Sequence, residues 1–167
     1  RDACVLEFDF IPTGDTIKFN YIFGSAEYEI FTCSSFEDVF GFFVSGPGLT
    51  GTFSSNAINI AVIPGTNCPI TINTINSSTN NPCGATVAPC APPNNALFVS
   101  NLPTGNTLTG MGYNGYTLPM QAITNVIPCQ TYHMKLAISD ASDQSLDTGV
   151  LLEAGSLSSN SYSLTSI

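Results

Sequence analysis

Residues 16–24 read TIKFNYIFG, and this stretch decides the fold class. Apolar side chains occupy every second position, at Ile17, Phe19, Tyr21 and Phe23. A two-residue period of this kind is typical of a β-strand that buries one face. The stretch therefore predicts a strand packed on a hydrophobic core.

The same period recurs on both sides of this strand. Residues 4–12, CVLEFDFIP, alternate in the same way, and the turn-forming residues 12–15 predict a hairpin between the two strands. Further strands are predicted within 38–46, 57–65, 69–76, 96–101, 116–127, 131–140 and 149–157. Because no helical period is sustained, we predict one all-β domain over 1–167, an antiparallel β-sandwich that is jelly-roll-like.

The charge balance excludes several classes of partner. The net charge is −9, from twelve acidic and three basic residues. Binding to nucleic acid or to an anionic membrane surface requires a basic footprint, which three side chains cannot supply. No apolar run reaches the roughly eighteen residues of a membrane span. The chain opens at Arg1 without signal-peptide features, so we expect a fragment of a larger extracellular protein.

Six cysteines without a CxxC pair, beside a single histidine, favour disulfides over a zinc site. The predicted disulfide cysteines are Cys4, Cys33, Cys68, Cys83, Cys90 and Cys129. Fifteen pairings are possible, and free buried thiols are the alternative. Residues 66–95 are rich in Asn and Pro, so we predict a long disulfide-clipped loop there.

Catalytic chemistry has little support. The only imidazole, His133, alternates onto the same strand face as Lys135, where a solvated or packed histidine is expected. No nucleophile and base can be paired, no Trp offers a sugar platform, and no phosphate-binding glycine motif precedes a helix. We therefore predict a protein that is not an enzyme.

Acidic residues are gathered in two segments. The stretch 137–150, AISDASDQSLDTGV, holds three aspartates without a basic residue, and 24–43 holds a second group. Like charges this close disfavour a compact state unless a cation compensates them, and Ca²⁺ takes six to eight oxygen ligands in irregular loops. The predicted ligands of a structural Ca²⁺ are Glu27, Asp38, Asp140, Asp143 and Asp147. A solvated acidic loop is the alternative.

A second candidate site lies in 111–119, MGYNGYTLP. Tyr113 and Tyr116 are candidates for stacking on a sugar, and Asn114 for a hydrogen bond to a hydroxyl group. The alternative is that both rings pack on the core.

Several sequence blocks occur together in order: RDACVLEFDF, TIKFNYIFGSAEYEIF, CSSFEDVFGFFVSGPG, INIAVIPGTN and VIPCQTYHMKLAISDASDQSLDTGVLLEAGS. Together they resemble the choice-of-anchor L domain of secreted and surface proteins of Bacteroidetes and other bacteria. The chain departs from the family pattern FGSEEY at Ala26. Residues 15–17, Asp-Thr-Ile, also resemble a Bacteroidetes O-glycosylation motif, with Thr16 as the acceptor.

The resemblance implies a module that is secreted or displayed on the outer cell surface, often exported by type IX secretion, with no defined catalytic residues. The expected function is a calcium-stabilised adhesion module that meets an extracellular glycan or protein surface. A carbohydrate-binding module and a self-associating subunit of a surface filament are the alternatives.

Overall fold

The structure, a computed structural model, describes residues 3–34, 38–77, 95–102, 112–139 and 146–160. Within these ranges it contains ten strands and two short 3-10 turns, so the predicted all-β class is confirmed. The strands are β1 (Ala3–Phe10), β2 (Thr16–Ser25), β3 (Val39–Ser45), β4 (Ile58–Asn59), β5 (Phe98–Ser100), β6 (Gly115–Thr117), β7 (Met120–Asn125), β8 (Tyr132–Ser139), β9 (Thr148–Leu152) and β10 (Ser158–Asn160).

The strands form two antiparallel sheets. The small sheet has the order β1-β8-β3-β4, and the large sheet is built around β2. β10 and β7 pair with the first half of β2, while β9 and β6 pair with its second half. β5 continues the large sheet beyond β6. β1, β2 and β3 lie in alternate sheets, and so do β7, β8 and β9, as in the predicted jelly-roll-like sandwich.

The core lies between the sheets and is largely aromatic. The alternating side chains of β2 are buried as predicted, and they meet β3 across the interface. The ring centroids of Phe19 and Phe42 are 4.8 Å apart, those of Tyr21 and Phe42 4.9 Å, and those of Phe23 and Phe40 5.0 Å. Tilted and offset ring pairs at this spacing add specific contacts to the burial of apolar area.

The hairpin predicted between β1 and β2 is wrong. β1 pairs with β8 in the small sheet, and β2 pairs with β7, β9 and β10 in the large sheet. Residues 12–15 therefore carry the chain from one sheet to the other. The backbone N–H of Cys129 donates to the Pro12 carbonyl, and that of Val126 donates to the Asp15 carbonyl, at 2.8 Å each.

The strand predicted over residues 69–76 is also wrong. Residues 70–76 are all buried, the polar ones as well as the isoleucines, so burial does not alternate, and the backbone turns at 72–74. The Thr74 hydroxyl donates to the Pro69 carbonyl at 2.8 Å and accepts from the Thr71 N–H at 2.9 Å. These local bonds replace the bonds to a neighbouring strand.

The cysteine prediction is corrected in part. Cys4 and Cys129 are free and exposed, so the prediction of disulfides at these two cysteines is wrong. Cys4 lies near the start of β1 and Cys129 contacts Pro12 beyond the other end of β1, so the two are too far apart to pair. Cys33 and Cys68 are disulfide-bonded, and Cys83 and Cys90 lie outside the described residues. The disulfide-clipped loop predicted around 66–95 is not supported, because the structure describes only 66–77 and 95 of this range, and there the Cys68 disulfide acts beside core packing and local hydrogen bonds.

Candidate functional site

Three of the five predicted calcium ligands meet at one end of the sandwich. β2 ends at Ser25, which is in register with Thr148, the first residue of β9. Glu27 follows β2, Asp38 directly precedes β3, and Asp147 directly precedes β9. We refer to Ser25, Glu27, Asp38, Asp147 and Thr148 as the acidic corner.

Both carboxylates nearest the core are buried. Glu27 and Asp38 are each 2% exposed, and Ser25 is fully buried. The Ser25 hydroxyl accepts from the Glu27 N–H at 3.0 Å. The Thr148 hydroxyl lies 2.9 Å from the Ser25 hydroxyl and also contacts Asp38 Oδ2.

The chemistry of these groups gives the bonds a direction. The Thr148 hydroxyl is the donor in both of its contacts, so its one proton is shared between the Ser25 hydroxyl and the Asp38 carboxylate. A network of hydrogen bonds therefore joins the Glu27 backbone, two hydroxyl groups and the Asp38 carboxylate.

Asp147 enters the corner through its backbone. Its carbonyl accepts from the Ala26 N–H at 3.0 Å, while its side chain is exposed. Asp140 and Asp143 lie outside the described residues. The described chain stops before them at Ser139, which pairs with Val39 next to Asp38. Within the described ranges, no three His, Cys, Asp or Glu side chains are placed so that they already form a metal site.

In the described part of the chain, the lysines lie away from this corner. Of the three basic residues in the sequence, Lys18 lies near the far end of β2, seven residues from Ser25. At roughly 3.3 Å per strand residue, this places it about 23 Å away along the strand. Lys135 lies on the small sheet, where its Nζ forms an ion pair with Glu7 Oε1 at 2.8 Å. Arg1 lies outside the described residues. Burial of carboxylates is costly without compensating charge or hydrogen bonds.

The second candidate site lies against the same corner. Asn114 donates its side-chain N–H to the Ala26 carbonyl at 2.5 Å. The Tyr113 ring lies across Gly24 and Gly149, a register pair between β2 and β9, since a Cβ at either glycine would collide with it. Tyr113 is half-buried by this packing. The sugar-binding role of Tyr113 and Asn114 stays a prediction.

Tyr116 and Thr16 lie elsewhere on the large sheet. Tyr116 is half-buried in β6, opposite Gly24, and its stacking role likewise stays a prediction. Thr16 is only 8% exposed and is paired on both sides, with Asn125 and Asn160. Residues 15–17 therefore do not form an exposed hairpin, and glycosylation of Thr16 stays a prediction.

Sequence reasoning missed the uncharged members of the site. Ser25 and Thr148 carry no charge, so the clustering of carboxylates in the sequence does not indicate them. Gly24 and Gly149 did leave a signal, because an isolated glycine inside a strand pattern often marks the close approach of another group. Here that group is the Tyr113 ring.

Comparison with known proteins supplies the family. Among the described residues, no helix is long and apolar enough to cross a membrane. No curated protein and no solved structure matches the chain. The family model of the choice-of-anchor L domain matches residues 1–158, nearly the whole chain. The chain therefore belongs to the choice-of-anchor L family of secreted and cell-surface domains.

Proposed function

We propose that this domain is a non-enzymatic, extracellular adhesion module whose acidic corner binds a structural Ca²⁺. The observation that carries the proposal is the burial of Glu27 and Asp38, at 2% exposure each. Both lie next to the start of β9, which Asp147 directly precedes. Family membership supports an extracellular surface module. Adhesion and export by type IX secretion are further parts of the proposal, supported by the family resemblance.

The residues present fit a calcium ion in their chemistry. The corner offers carboxylate, hydroxyl and backbone carbonyl oxygens, which are the hard ligands that Ca²⁺ prefers. In this proposal Glu27, Asp38 and Asp147 supply oxygens from the described residues, and Asp140 and Asp143 supply the others. The ion neutralises carboxylates that otherwise repel one another, so binding stabilises the folded domain.

Thermal unfolding with calcium and with a chelator tests the proposal. A ligand in hundredfold excess over its dissociation constant adds about 2.7 kcal/mol of stability. For a domain of this size, that raises the midpoint by roughly 5–11 °C. We expect the rise in the wild type, and its loss in Asp38→Asn and in Asp143→Ala.

Asp15→Asn is the matched control, because Asp15 lies at the opposite end of β2 and is half-buried. This variant should keep the full calcium-dependent rise. Titration calorimetry of the folded proteins gives the stoichiometry directly, so a variant that is merely less stable is recognised by intact binding. A wild-type protein that neither binds calcium nor shifts its midpoint would refute the calcium site.

A further inference from the structure

The outward face of the small sheet carries a groove that the acidic corner does not use. Cross-strand register places Glu7, Lys135 and Phe43 in one row, and Asp9, His133 and Ser45 in the next. The groove over these rows has a volume of about 400 Å³, and Phe53 lines it from the loop after β3. A second cavity of about 370 Å³ continues it past His133. We call the two together the outer groove.

Two phenylalanine rings form the apolar wall of the outer groove. Phe43 and Phe53 meet edge to face, with centroids 4.7 Å apart and planes at 62°. Phe53 remains 47% exposed. The Phe43 ring lies flat along its own strand because Gly41 has no side chain, and a Cβ there would be 2.5 Å from the ring. Phe43 is half-buried, so the pair offers a partly exposed aromatic surface that an apolar ligand face can contact.

The loop that carries Phe53 is held in a strained conformation. Ser55 and Asn56 have φ values of 59° and 56°, in the left-handed region that non-glycine residues seldom adopt. Two backbone bonds close the loop, from Gly51 N–H to Asn56 O at 2.8 Å and from Phe53 N–H to Ala57 O at 3.3 Å. Consecutive strained residues persist where the surrounding structure fixes them, and they are common at binding sites.

Fixed polar groups form the opposite wall. Lys135 Nζ lies 2.8 Å from Glu7 Oε1, and His133 Nδ1 lies 2.8 Å from Asp9 Oδ1. Because an ionised carboxylate only accepts, His133 Nδ1 carries the proton of its bond. The groove thus presents carboxylate acceptors, an ammonium donor and an imidazole at set positions. With two carboxylates against one ammonium, its charge is net negative while His133 is neutral.

We propose that the outer groove binds an uncharged pyranose sugar. The C–H face of such a ring packs on Phe53, and its hydroxyl groups bond Glu7 and Lys135, which offer an acceptor and a donor side by side. The volume lies within the usual range of small-ligand sites, about 300–1,000 Å³. The negative charge disfavours sugar acids. The inference is independent of the calcium site, because none of its residues belongs to the acidic corner.

Saturation-transfer NMR with the intact domain tests the assignment. The probes are glucose, galactose, mannose and N-acetylglucosamine, with glucuronic acid as the anionic comparison. We expect at least one neutral sugar to bind with a Kd below about 10 mM, and glucuronic acid to bind at least tenfold more weakly. Phe53→Ala should weaken binding at least tenfold.

Matched variants separate this site from the alternatives. Tyr116 lies on the large sheet, so the Tyr116→Ala variant should bind the sugar as the wild type does. Glu7→Gln should weaken binding without unfolding the domain, because Glu7 is exposed. The same titrations with chelator should give the same affinity, so failure of the calcium proposal leaves this result intact. No binding to any neutral sugar, or binding that Phe53→Ala leaves unchanged, would overturn the assignment.

Discussion

Replacement of Thr148 by valine tests the hydrogen-bond network at the acidic corner. Valine keeps the shape and strand preference of threonine but removes the hydroxyl group, which contacts both Ser25 and Asp38. A hydrogen bond to a charged group contributes about 1.5–3 kcal/mol. The change in strand preference is a few tenths of a kcal/mol at most. The expected loss in the free energy of unfolding is therefore about 2 kcal/mol.

The loss should appear as a fall in the thermal midpoint of roughly 4–8 °C, since 1 kcal/mol corresponds to about 2–4 °C for a domain of this size. Urea unfolding in chelator isolates the hydrogen bond from any bound ion. Thr148→Ser is the matched control, because it keeps the hydroxyl group and loses only a half-buried methyl group. A valine variant within about 0.5 kcal/mol of the wild type, or no less stable than the serine variant, would refute the reasoning.

Two further predictions concern other parts of the sandwich. Gly149→Ala should lower the free energy of unfolding by about 1–3 kcal/mol, because the new methyl group collides with Tyr113. Gly112→Ala is the control, since nothing lies within 4 Å of its new atom, and it should change the free energy by less than about 0.5 kcal/mol. Equal effects of the two substitutions in urea unfolding would contradict this packing. The hydrogen bond from Lys135 holds the pKa of Glu7 below its ordinary value of 4.5. A lowered carboxyl pKa contributes stability that is lost as pH falls through the folded value, so Glu7→Gln should lose less stability than the wild type on acidification from about pH 6 to 3. If the stability of the two proteins fell equally over this pH range, the Glu7–Lys135 pair would contribute nothing to stability.

The strands were predictable because alternation is a local property. β2 and β3 follow their patterns, whereas β1 and β8 do so only at the end where Phe8 pairs with Met134 and Phe10 with Tyr132. His133 and Lys135 share the outward face as predicted. The hairpin was not predictable, because the same alternation buries one face whether two strands pair or lie in opposite sheets. The strand prediction for residues 69–76 is wrong for a different reason. Their alternation is compatible with turns once threonine hydroxyls bond the backbone.

The acidic corner was predictable in its charged members only. Glu27, Asp38 and Asp147 were predictable because carboxylates seldom cluster in a sequence without a partner. The fold brings all three to one end of β2. The hydroxyl groups that join them, and the glycine pair under Tyr113, depend on the register between β2 and β9. Register between strands about 120 residues apart in sequence is a tertiary property, so no local pattern contains it.

The position of the acidic corner explains why a cation would matter there. Within the described residues, β9 takes its strand pairing from β2 alone, over the register from Tyr21–Leu152 to Ser25–Thr148. Leu151 and Leu152 stay 44% and 46% exposed, so burial anchors this end of the strand weakly. The other end is anchored at the corner, by the Thr148 hydroxyl and the Asp147 carbonyl. Repulsion among the neighbouring carboxylates acts on this same end, so a bound Ca²⁺ would stabilise the attachment of β9 more than that of strands paired on both sides. Hydrogen exchange with and without calcium should therefore differ most at the amides of β9, and uniform protection across the large sheet would contradict this account.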